Sequence, residues 1–179
     1  MSLSRVAEEV WKFRDSFSLW WPTPPEDDAL RFAFCEAAEA MDAILRHNPI
    51  YVRNHERSVD LAQELAQCAI MLITALGRGH RYGLTQCRPE RLADQWQRVD
   101  EVARRVGHTF VSYQEAPGAS MWRVWAEAAL IQILDEPAYA PMEAQIGREL
   151  ARLEASLLAP RQRAAVEKCK EVANGVQAG

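Results

Sequence analysis

The sequence predicts an all-α, bundle-like domain, and three observations carry that expectation. Strand signals are nearly absent: no stretch sustains an alternation of period two, and Ala, Leu, Glu, Gln and Arg dominate. Apolar residues recur instead at spacings of three and four. Proline and glycine gather at a few points between those segments, in LWWPTPPEDD, GRGHRYG, APGAS, DEPAYAP and LAPRQ. With 179 residues, 49% hydrophobic and 26% charged, the chain suits one soluble domain able to bury a core.

The elements follow in order. Val6, Val10, Phe13 and Phe17 fall at helical spacing and predict a first helix over 3–17. The prolines of LWWPTPPEDD end it. Thr23 and Pro24 then offer an N-cap and a first-turn proline, and Glu26, Asp27 and Asp28 suit the positive end of the next helix. That second helix runs to about His47, with Leu30, Phe34, Ala37, Met41 and Leu45 as its stripe. Glu36 and Glu39 point nearly the opposite way, beside Phe32, Ala40 and Ala43. A purely solvated face is more often charged throughout; this one mixes acids with a phenylalanine and small residues, as a ligand cleft does.

The third helix is expected over 55–77. Leu61, Leu65, Cys68, Leu72 and Leu76 make its stripe, and Asp60, Glu64, Gln67 and Met71 share the neighbouring face. Its end, AIMLITAL, is apolar all round and therefore central, and Gly77 and Gly79 stop it. Further helices are expected over 89–106, 118–135 and 138–158, with a last one starting near Pro160. Trp96, Met121, Trp122 and Trp125 are assigned to the core of the C-terminal half, whose helices can alternatively form a dimer interface. No linker interrupts the chain, so residues 1–86 and an extension over 87–179 are read as one domain.

Composition excludes several classes. A formal net charge of -4 and a pI near 5.6 speak against a nucleic-acid binder, which carries a basic footprint. No apolar run reaches the length of about 18 residues that a membrane span needs, and MSLSRVAEEVWKF lacks the features of a signal peptide. The four cysteines include no CxxC pair. Cys35 and Cys68 lie in apolar helical stretches, which predicts reduced core thiols in a cytoplasmic protein. There is no Glu-x-x-His pair for a di-iron centre, no P-loop or dinucleotide fingerprint and no nucleophile elbow.

What is left is a pair of acidic pairs. Residues three apart share a helix face, so Glu36 with Glu39, and Glu64 with Gln67, each aim two oxygen-bearing side chains one way. If His47–His55 is the turn between antiparallel helices, Glu39 and Glu64 lie at nearly equal distances from it, and so do Glu36 and Gln67. At about 1.5 Å per residue the members of each couple face each other. Three carboxylates and an amide then converge, a set that suits a hard divalent cation such as magnesium. The alternative is a solvated face whose acids pair with Arg31, Arg46 or Arg57.

A short helix, a proline-containing loop, a helix with ExxE and a following helix with an acid pair form a recognisable order. Through WKFRDSFSLWWPTPPEDDALRFAFCEAAEAMDA and DLAQELAQCAIMLITAL, about residues 5–80, the chain resembles the MazG-like, all-α nucleoside triphosphate pyrophosphatases. The resemblance implies a helical bundle of that type with extra C-terminal helices. It also implies hydrolysis of a nucleoside triphosphate to monophosphate and pyrophosphate, clearing or regulating a nucleotide pool, with Mg2+ or Mn2+ held by the acids. Carried over by position, Glu36 and Glu39 match the ExxE acids and Glu64 the first acid of ExxD. Gln67 stands where the family has aspartate, which removes one charge; Asp60, a turn before Glu64, and Asp42 are candidates to replace it. Glu39 is the expected base toward water. Trp20 and Trp21 are candidates to stack on the base, or a staple closing the first helix onto the core. Arg78, Arg81 and, as a minor option, His80 are candidates for the triphosphate tail, or cations favoured at a helix C-terminus for their own sake; the other histidines are read as surface or capping residues. The family often dimerises to complete its pocket, whereas the extra helices here can complete it within one chain. The alternative function is a non-catalytic nucleotide- or metal-binding module with a degenerate metal site.

Overall fold

A computed structural model of the chain describes residues 3–18, 22–46, 60–83, 92, 94–135 and 142–176, with side chains in the last segment described up to Ala159. Six α-helices account for most of them: α1 (Leu3–Phe17), α2 (Glu26–Arg46), α3 (Leu61–Leu76), α4 (Gln95–Glu115), α5 (Met121–Leu134) and α6 (Met142–Val176). No strand occurs among the described residues. The all-α expectation therefore holds. No helix among the described residues is long and apolar enough to cross a membrane.

α3 is the hub, as its all-round apolar sequence predicts. It packs against α1, α2, α5 and α6, and Leu65, Cys68, Ala69, Leu72 and Ile73 are at most 1% exposed. Asp60 caps its start by accepting a hydrogen bond from the Ala62 N–H at 3.0 Å, so this helix begins at Leu61; residues 55–59 of the expected span lie outside the described residues. Gly77 ends it with φ +83°, a conformation that costs glycine nothing. α1 matches its expected span, and Val6, Val10, Phe13 and Phe17 are all buried.

α2 starts two residues later than Thr23 and Pro24 suggested, with the Ala29 N–H donating to the Pro25 carbonyl at 2.9 Å. Its buried row is alanine-rich: Ala29, Ala33, Ala37, Ala40 and Ala43 are at most 1% exposed. Phe34, assigned to the core stripe, is instead 46% exposed and stacks on Phe110 of α4 at 5.7 Å. The apolar moment of a large ring misled the assignment; small side chains let two helices approach closely, and that closeness decides which face is buried. Cys35 is likewise exposed, whereas Cys68 is buried and its thiol donates to the Ala33 carbonyl at 3.4 Å. Cys87 and the Cys169 side chain lie outside the described residues.

The C-terminal half differs most from expectation. Asp94 caps α4 through the Gln97 N–H at 2.8 Å, and the helix runs past Gly107 to Glu115. A mid-helix glycine costs only about 1 kcal/mol, and buried Val106 and Thr109 on either side of it keep the helix on the core. α6 is one continuous helix through Pro160. A proline removes a single backbone donor and bends a helix as readily as it ends one. Among the four residues assigned to the core here, Trp122 is fully buried, Trp125 is half-buried, and Trp96 and Met121 are 41% and 57% exposed. α6 packs on α3 and α1, and this contact completes the site.

Candidate functional site

The seam between α2 and α3 brings the acids together. One carboxylate oxygen from each of Glu36, Glu39 and Glu64 lies within 4.8 Å of the others. Burial is graded across them: Glu64 is buried, Glu36 half-buried and Glu39 exposed. Glu39 and Glu64, counted as facing each other along the chain, thus come together, and Glu36 and Gln67 line one cavity. Glu36 also hydrogen-bonds Glu64, and Gln67 donates to Glu149 of α6.

Such crowding raises proton affinity. The Glu36 carboxyl is pushed up to about 8, first by burial, then by its hydrogen bond to Glu64 and the charges of Glu64, Glu39 and Glu149. Glu64 is also raised, chiefly by burial. The group with the clearest tendency to hold a proton is therefore Glu36. Three oxygen donors with too little positive charge between them form a set that a hard cation would relieve, because it replaces a shared proton with a larger charge.

Glu36 also lines a cavity of about 320 Å³. Its walls mix Pro24, Phe32, Ile70, Met71 and Leu153 with Arg14, Gln67, Glu149 and Arg152. Phe32 is 52% exposed, so its ring borders the opening. Arg14 is only 1% exposed, with its Nη2 donating to the Met71 sulfur at 3.5 Å, and burial lowers its pKa. Arg152 sits at the rim, and its pKa is raised by its hydrogen bond to Glu149.

Glu149 is the residue the sequence did not reveal. It comes from α6, is 4% exposed, and accepts from the Gln67 amide at 2.7 Å. Arg152 holds it with two hydrogen bonds, Nε to Oε2 at 2.8 Å and Nη2 to Oε1 at 2.6 Å. A glutamate three residues before an arginine reads as an ordinary surface pair, so nothing local marks it. Arg14 did carry a signal: it lies four residues after Val10 and three before Phe17, on the buried stripe of α1.

The remaining expected site residues are dispersed. Asp60 is exposed and occupied in capping α3, and neither it nor Asp42 joins the acid cluster. Asp60→Ala should cost about 1 kcal/mol in urea denaturation, the usual worth of an N-cap, and change cation affinity little. A steep loss of affinity would return Asp60 to the ligand set. Arg78 and Arg81 do not line the acid-bearing cavity. They line a second one, of about 600 Å³, on another side of α1 with Trp11, Lys12, Asp15 and Tyr82; Arg78 pairs with Asp15 there and lies over the Trp11 ring. His80, a minor candidate for the triphosphate tail, has a side chain 4% exposed and donates to Glu127 of α5 at 2.8 Å. Glu127 also accepts from the Gly83 N–H at 3.1 Å, so a buried acceptor drew the imidazole inward. Trp20, Trp21, Arg57, His47 and His55 lie outside the described residues. In comparisons with known proteins, no family model, no curated protein and no solved structure matched the chain.

Proposed function

We propose that the protein is a divalent-cation-dependent nucleotide pyrophosphohydrolase of MazG-like type, acting on a nucleoside triphosphate to give monophosphate and pyrophosphate. The observation that carries this reading is the gathering of Glu36, Glu39 and Glu64 oxygens within 4.8 Å beside a cavity with two arginines and apolar walls. The donor set is all oxygen and acidic, which fits Mg2+ or Mn2+. Glu36, Glu39 and Glu64 would hold the ion, which would supply charge neutralisation for the phosphates.

The chain's own groups divide the rest of the work. Phosphoryl transfer asks a protein mainly for positioning and electrostatics. Arg152, at the cavity rim, and Arg14, in its wall, are the cations suited to phosphate oxygens. Phe32, Pro24 and Leu153 offer an apolar surface to a base. Glu39, the most exposed of the three, would use its second carboxylate oxygen to accept the proton of the attacking water. α6 lines the cavity from within the same chain, which favours a pocket complete in the monomer.

The test is pyrophosphate release from a panel of canonical and modified nucleoside triphosphates with Mg2+ or Mn2+. Glu64→Gln and Glu36→Gln should each lower the rate by at least about 100-fold, the scale on which losing a charged catalytic group acts. One observation favours a second reading: Gln67 brings no charge and is engaged by Glu149. A non-catalytic module would bind the cation without turnover. Absence of both binding and release would remove either reading.

A further inference from the structure

We propose that Glu149 is a positioning residue of the cation site: it holds Gln67 so that the amide's carbonyl oxygen, and not its nitrogen, is presented to the acid cluster. The inference rests on the cation-binding reading above and adds to it how this chain supplies a fourth oxygen where the carried-over pattern expects an aspartate.

A glutamine is an ambiguous ligand. Its two ends are nearly the same size, but one carries two donors and the other two lone pairs. Only the oxygen can bind a cation. An ionised carboxylate, by contrast, accepts and never donates, so whatever faces it must be the amide nitrogen. Gln67 Nε2 donates to Glu149 Oε1 at 2.7 Å, which settles the orientation. Gln67 Oε1 accepts no hydrogen bond among the described residues. Gln67 lies one turn after Glu64 on the same face of α3 and lines the same cavity as Glu36. Glu149 is in turn fixed by both nitrogens of the Arg152 fork and is 4% exposed. The chain Arg152, Glu149, Gln67 thus spans α6 and α3 and leaves the Gln67 carbonyl oxygen as its free end, on a residue that lines the cavity with Glu36. Outer partners of this kind orient ligands elsewhere, and losing one typically costs 10–100-fold in metal affinity.

A size-matched exchange separates orientation from packing. Glu149→Leu removes the acceptor that Gln67 Nε2 and Arg152 Nη2 share, so nothing holds the Gln67 nitrogen and its amide is free to turn over. Mn2+ affinity, measured by calorimetric titration, should fall about 10–100-fold while helicity is kept. In Gln67→Glu/Glu149→Leu the residue at position 67 is a carboxylate, which offers an oxygen whichever way it turns, so affinity should return to within a few-fold of the starting protein. Gln67→Leu, which leaves the Glu149–Arg152 pair intact, should weaken binding as Glu149→Leu does, and it serves if the latter fails to fold. Unchanged affinity in either single variant, or no recovery in the folded double variant, overturns the role of Glu149 alone. A starting protein that binds no Mn2+ removes the cation site itself and this inference with it.

Discussion

Trp122→Ala should lower the unfolding free energy by about 3–5 kcal/mol, the range for deleting a buried aromatic side chain. Trp122 heads the fully buried side chains by volume. Its ring meets Tyr113 edge-on at 5.4 Å, the Arg123 guanidinium lies 4.7 Å from its centroid, and its indole N–H donates to the Pro117 carbonyl at 3.1 Å. That last bond ties α5 to the turn that follows α4. Since small domains are stable by about 5–15 kcal/mol, the loss is a large share of the total. Urea denaturation checks it. Trp122→Phe should retain most of the packing and lose chiefly the hydrogen bond, about 1 kcal/mol. A loss below that in Trp122→Ala would mean that α4 and α5 do not share the core described here.

In the metal-free protein, the thermal midpoint should fall by on the order of 5 °C as pH rises from about 5 to about 9, and Glu36→Gln should flatten that decline. The sign follows from linkage. The Glu36 carboxyl is raised from 4.5 to about 8 in the folded protein. Between those values the folded state holds a proton that the unfolded chain has released. The contribution is complete below about 4.5 and is lost as pH passes about 8. Glu64 is raised as well and acts in the same direction. Partial exposure of Glu36 lets water screen the effect, so only part of the shift reaches stability. A bound cation competes with that proton. Saturating Mg2+ should therefore remove most of the decline, and Mn2+ affinity should tighten with rising pH until about 8. A metal-free midpoint that rises over this window would contradict the crowding of Glu36 against Glu64.

The helical class and the place of α1 and α3 could be read directly, because a 3.6-residue period is a property of each segment alone. Val6, Val10, Phe13 and Phe17 mark one face of α1 whatever surrounds it, and Leu61, Leu65, Cys68 and Leu72 do the same for α3. Phe34, Trp96 and Met121 were placed wrongly for a related reason. Their apolarity is local, but their burial depends on whether another helix arrives over them. Pro160 misled because a proline can kink a helix without ending it.

The candidate site divides along the same line. The amino-acid sequence by itself determined that Glu36 and Glu39 share one helix face, that Glu64 and Gln67 share another, and that α3 lies at the centre. Only the tertiary structure decided that Glu36 as well as Glu39 meets Glu64, that α6 brings Glu149 and Arg152 to Gln67, that Arg14 enters the same cavity, and that Arg78 and Arg81 serve a different one. Periodicity constrains a residue's direction about its own axis. The stagger and crossing of two helices depend on how every side chain between them interlocks, and a position 82 residues away along the chain leaves no mark on local spacing.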